Sequence, residues 1–260
     1  ISDNASLTAF PNISLTVVAG NDVWNGGGAD NNFSSSLNWT NHTGPPYVGD
    51  SLQFAGTTQL APNLDNNYTV TGVLFDTTAG SFNIGSSAST LTLTNGSGVV
   101  NNSANVQTLS APVVLDASQT FNAASNDIVI SGAMSDGNTP GGLIKTGNHG
   151  LTLSGANTYT GPTTVGSGTL NITGSVGTTA ANTSSIFVSS VPGKSVLNIT
   201  DSAALSTYYL LLGNTNNAVG VVYQNGGTVD ASAGSGFDNL CVGNVAGAYG
   251  YYGANGGTFT

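Results

Sequence analysis

Arginine and glutamate are absent from this chain, and lysine occurs twice, as Lys145 and Lys194. Twelve Asp residues supply the opposite charge, so the net charge is −10 and the isoelectric point lies near 4.1. Such a surface has almost no cations to set against phosphate, which argues against nucleic acid or anionic lipid as a partner. A single cysteine, Cys241, excludes an internal disulfide. No run of about 18 apolar residues is present, so no membrane insertion is expected within this chain. The opening Ile1-Ser2-Asp3-Asn4 lacks the basic start and apolar core of a signal peptide and is read as a processed or trimmed end. So few Lys and Arg leave trypsin-like proteases little to cut, which suits life outside a cell.

The polarity comes instead from Ser, Thr, Asn and 37 Gly, over a hydrophobic fraction of 38% that is sufficient for a core. The stretch from Gly141 to Thr173 shows how they are arranged. Short runs alternate apolar and small polar residues: Leu151-Thr152-Leu153-Ser154, Thr163-Thr164-Val165 and Thr169-Leu170-Asn171-Ile172-Thr173. Each run is closed by Gly, Asn or Pro, which is the strand-and-turn signal, and no 3.6-residue apolar stripe appears. Strands this short must stack on copies of themselves. Stacking explains the scarcity of charge. Like charges about 4.8 Å apart on successive coils would repel by roughly 3 kcal/mol, whereas Asn, Thr and Ser stack without that cost and hydrogen-bond up the ladder. In this phase Leu143, Leu153, Val165, Leu170 and Ile172 point inward, and Thr152, Thr164 and Asn171 outward.

A resemblance rests on the same stretch. Gly141, Gly142, Leu143, Lys145 and Gly147 are followed by Leu151, Leu153, Ser154, Gly155, Asn157, Tyr159 and Gly161, then by Thr163, Val165, Gly168, Thr169 and Leu170. This pattern resembles the passenger-associated transport repeat of bacterial autotransporters and other large bacterial surface proteins. Departures fall at turns, at Asn148-His149-Gly150 and at Pro162. The resemblance implies an all-β, right-handed parallel β-helix, or β-solenoid, on a secreted or surface-displayed bacterial protein.

Three regions follow along the chain. Residues 1–20 hold two strand-like runs, Ser6-Leu7-Thr8-Ala9-Phe10 and Ile13-Ser14-Leu15-Thr16-Val17-Val18. Residues 21–55 are rich in Gly and carry Trp24 and Trp39, and they are expected to cap the solenoid with aromatics. Residues 56–260 are expected to form coils of about 25–30 residues. A second repeat appears near the end. Leu212-Gly213-Asn214 and Asn225-Gly226-Gly227-Thr228 recur as Val242-Gly243-Asn244 and Asn255-Gly256-Gly257-Thr258, offset by 30 residues. By this offset Cys241 takes the place of Leu211, and it is read as a small core residue.

Chemistry is sparse. With no Glu, no Arg and no Asp-Asp pair, the chain offers no recognisable carboxylate–base set, and neither an enzyme nor a cofactor is expected. Asp50, Asp76, Asp116 and Asp136 sit where Asp serves turns. His42 and His149 lack metal-ligand spacing and are read as surface turn residues. Gly26-Gly27-Gly28-Ala29-Asp30 is a single weak echo of a calcium loop, so no metal site is assigned. The expected function is therefore structural: an exported fibre subunit whose partners are copies of itself, added head to tail. In that scheme Ser6, Leu7, Phe10, Ile13, Leu15 and Val17 of one copy meet Thr258 and Phe259 of the next. The alternatives are a glycan-binding adhesin, stacking sugars on Trp24, Trp39 or the group Tyr249, Tyr251 and Tyr252, and a passenger segment of a longer surface stalk.

Overall fold

The computed structural model describes residues 20–40, 45–86, 88–177, 184–232 and 239–260. The strand-like runs expected within 1–20, His42 and Asp238 lie outside them. Among the described residues the chain is strand and turn, apart from the 3-10 segment Ser36–Asn38. Every ladder between strands is parallel, as a coil stacked on a coil requires.

Three sheet faces wind around one core. The first carries Asn21–Trp24, Ser51–Phe54, the second part of Tyr68–Phe75 and of Leu91–Asn101, then Gln119–Ala123, Leu143–Thr146, Thr163–Val165, Ile186–Val188, Leu210–Leu212 and Leu240–Val242. The second runs from Asn83–Ile84 through Gln107–Leu109, Ile128–Ile130, Gly150–Leu153, Gly168–Ile172 and Gly193–Ile199 to the first parts of Ala218–Asp230 and Tyr249–Phe259. The third begins with 68–70 and 91–93 and continues through Val113–Leu115 and Met134–Asp136. Thr158 N–H donates to Met134 O at 2.7 Å and carries it on to Ala156–Asn157, Ser175–Val176 and Ala204–Ser206. The protein is thus a three-faced β-solenoid.

The alternation read from sequence sets which side chains enter the core. Leu143, Leu153, Val165, Leu170 and Ile172 are fully buried, and Thr152, Thr164 and Asn171 are half-buried on the outside. Each buried Leu stabilises by about 2 kcal/mol. Coil length is less uniform than expected: Lys145 rests on Val165, 20 residues on, whereas Leu212 rests on Val242, 30 residues on. The short coils shrink their corners to glycine. A Cβ on Gly155 would lie 2.4 Å from Gly132 O, and one on Gly174 would lie 2.3 Å from Gly155 O. Backbones therefore touch at this corner, where only glycine fits.

At the N-terminal end the core is aromatic. On the first face Trp24, Phe54 and Phe75 are successive rungs, with ring centroids 6.0 and 5.3 Å apart, and Phe33 and Trp39 meet edge to face at 5.0 Å. Such contacts add to the apolar burial they bring. Farther along, Leu, Ile and Val replace the rings.

Candidate functional site

The 30-residue repeat brings the chemistry-bearing residues together. Leu210–Leu212 lies under Leu240–Val242, and Gly220 lies under Gly250 in the same register. Paired asparagines lock the two coils: Asn244 Nδ2 donates to Asn214 Oδ1 at 2.6 Å, and Asn255 Nδ2 donates to Asn225 Oδ1 at 2.9 Å. Asn198 Nδ2 donates likewise to Asn171 Oδ1 at 2.8 Å. Neutral amides do take the place of charge, as the composition implies.

On this repeat two surfaces face solvent. One is an edge. Among the described residues Leu240–Val242 pairs with Leu210–Leu212, and Tyr249–Phe259 pairs with Ala218–Asp230, each on one side. Val242 and Phe259 are exposed there, and Thr258 and Phe259 register on Thr228 and Val229. Phe259 meets Tyr252 edge to face at 5.4 Å. The other surface is the outward side of the second face, where Tyr223, Tyr249 and Tyr251 are exposed and Tyr223 and Tyr251 lie 5.8 Å apart. Tyr252 points inward from the same strand: its hydroxyl donates to Gln224 Oε1 at 2.6 Å, and burial pushes its pKa up to about 12.

Other expected positions fall elsewhere. Trp24 is fully buried and Trp39 is 97% buried, its indole N–H donating to Phe33 O at 2.8 Å. Neither presents a ring to a sugar, because the aromatic cluster consumes both faces. Cys241 does register on Leu211, but both point outward: Leu210 and Leu212 take the inward places of that rung. The core reading of Cys241 is therefore corrected. Ser6, Leu7, Phe10, Ile13, Leu15 and Val17 lie outside the described residues.

The carboxylates serve turns. Asp50 accepts from Gly20 N–H and Tyr47 N–H, Asp76 from Thr78 N–H and hydroxyl, and Asp136 from Gly141 N–H and Thr160 N–H. Asp116 accepts from Asn138 N–H. Burial alone would raise Asp76, but hydrogen bonds from Thr78 and Gln53 leave it below its ordinary value. Asp30 is lowered by Ser35 and the Asn32 N–H. His149 is an exposed turn residue, and among the described residues no group of three His, Cys or Asp forms a metal-holding cluster.

Sequence reasoning missed what the buried polar residues do. Lys145 is wholly enclosed, and its Nζ donates to the carbonyls of Thr146, Gly147 and Ser167 at 2.6, 3.0 and 3.2 Å. Burial pulls its pKa down to about 8, against the opposing charge of Asp127. Asn101 closes the same corner two coils earlier, donating to Asn105, Asn126 and Asp127 carbonyls. These side chains satisfy turn carbonyls that no ladder reaches. A single lysine in the motif at a fixed distance before Gly147 was the available signal.

The passenger-associated-transport-repeat family matches residues 143–172. That segment starts on the first face at Leu143, passes once around the solenoid and ends on the second face at Ile172, so the repeat corresponds to a coil. No curated protein and no solved structure matches the chain. Among the described residues no helix is long and apolar enough to cross a membrane.

Proposed function

We propose that this chain is a structural β-solenoid, displayed on or released from a bacterial surface, whose coils assemble head to tail into a filament. The matched repeat and the solenoid support a surface, passenger-type role. The observation that carries assembly is the edge formed by Leu240–Val242 and Tyr249–Phe259, with unsatisfied ladder positions and exposed Val242 and Phe259. A parallel strand from a second copy, Ser6-Phe10 or Ile13-Val18, would add there, main-chain bonds supplying affinity and alternate side chains register. A head-to-tail contact of this kind does not close, so it propagates. No catalytic role is assigned.

Negative-stain microscopy and light scattering over a concentration series test the proposal. Filaments that disappear on deletion of residues 1–18, with the β-rich spectrum kept, are the expected result. A monomer at every concentration sinks assembly, and the edge is then a joint to further coils of a longer stalk.

A further inference from the structure

We infer that the outward side of the second face, at the last repeat, is a binding platform for an acidic oligosaccharide, with Tyr251, Tyr249 and Tyr223 stacking on sugar rings and Lys194 holding a carboxylate. The first observation is the posture of Tyr251. A Cβ placed on Gly253 would lie 2.9 Å from Tyr251 Cε1, 3.0 Å from its hydroxyl and 3.2 Å from Cζ. The ring is therefore laid along its own strand, over the glycine two residues on, with one side against backbone. Gly253 is accordingly buried, while Tyr251 remains 54% exposed. A tyrosine held flat offers its other side to the axial C–H face of a pyranose, an apolar surface bordered by hydroxyls. Tyr223 lies under Gly253 in register and extends the aromatic surface down one rung.

The second observation is polar. On the same strands, beyond the rings, Asn225 and Asn255 are exposed and joined by one hydrogen bond, Asn255 Nδ2 to Asn225 Oδ1. That bond uses one donor and one acceptor, which leaves Asn255 Oδ1 and Asn225 Nδ2 to receive and give hydrogen bonds to sugar hydroxyls. Few precisely placed polar groups beside an apolar surface are what orient a ligand.

The third observation is charge, and it chooses the ligand. Lys145 is enclosed, so Lys194 is the one exposed lysine in a chain with no arginine and a net charge of −10. It stands on the same column as Tyr249, through Val219. Two rungs separate them by about 10 Å, a gap that a lysine stem and a tyrosine ring span together. Asp201, the described acid along that strand, is seven residues from Lys194, roughly 23 Å away. A cation beside exposed rings, far from its nearest neutralising carboxylate, fits a uronic acid better than a neutral hexose.

The test titrates the full chain with tetragalacturonate and with its fully methyl-esterified counterpart, by calorimetry and NMR. The acid should bind the more tightly, and added salt should narrow the difference. Lys194→Gln should bring the acid to the ester's affinity, and Tyr251→Ala should weaken both at least tenfold. Gly253→Ala, which lifts the ring, should weaken both with an unchanged urea midpoint, and Tyr47→Ala should bind as the parent does. Absence of binding to either oligomer overturns the inference, as does an unaltered affinity in Tyr251→Ala. Self-association that depends on Tyr251, without sugar binding, also overturns it and makes this face a contact between copies.

Discussion

Replacing Gly155 by Ala is the most direct test of the glycine corner. The new Cβ would sit 2.4 Å from Gly132 O and 2.8 Å from Gly132 C. Both are backbone atoms, so no rotamer relieves the clash, and the coils must part by about 1 Å to restore contact distance. That displacement strains the bonds from Ser154 N–H to Ile130 O and from Ser175 N–H to Gly155 O, now 3.0 and 3.1 Å. Overpacking of this kind costs about 3 kcal/mol, at the upper end because the neighbours are main chain. Lost freedom in the unfolded chain returns about 0.5–1 kcal/mol, for a net destabilisation of about 2 kcal/mol. Gly85→Ala is the matched control: its Cβ would meet Ser110 Oγ at 3.4 Å, and its φ is not positive. It should be neutral or slightly stabilising. Equilibrium urea unfolding followed by circular dichroism reads both variants. Equal midpoints for the two variants would refute the idea that backbone contact fixes these corners.

Alkaline pH should first stabilise and then destabilise the fold. Lys145 falls from its ordinary 10.5 to about 8, so between those values the unfolded chain binds more protons and stability rises with pH, by at most about 3 kcal/mol. Tyr68 and Tyr252 are pushed up to about 12, mainly by burial, so above about pH 10 the native state holds more protons and stability declines. In Lys145→Met the rise from pH 8 should vanish and the decline remain; a rise that persists in urea melts would exclude Lys145 as its source. Trypsin should leave the native chain intact and cut it after unfolding, because Lys145 is enclosed and Lys194 lies in a strand paired on both sides. Rapid native cleavage after Lys194, seen by mass spectrometry, would show that this rung opens.

What the sequence made legible, and what it hid, follow from one geometric fact about strands. Alternation specifies two sides without saying which is the core, and the inward phase emerges only where one side is consistently apolar. Residues 143–172 meet that condition, and there the phase was readable residue by residue. At Leu210–Leu212 it fails, because all three residues are apolar, and a cysteine stacked on the middle one appears to belong to the core when its side chain is outside. The tryptophans fail for the complementary reason: a large ring serves equally as core or as platform, and its neighbours across the coil decide. Phe33, Phe54 and Tyr68 supply those neighbours from distant positions. Lys145 is hidden by its type, since lysine is rarely enclosed unless carbonyls gather around its ammonium, and that gathering belongs to the corner rather than to the residue. The tyrosine platform lies between these cases. An offset of 30 places Gly253 on Tyr223, and period two places Tyr251 on the same side, so the sequence contained the juxtaposition. Only the coordinates add that the ring lies down across the glycine, and that posture turns an exposed aromatic into a surface with a ligand-facing side.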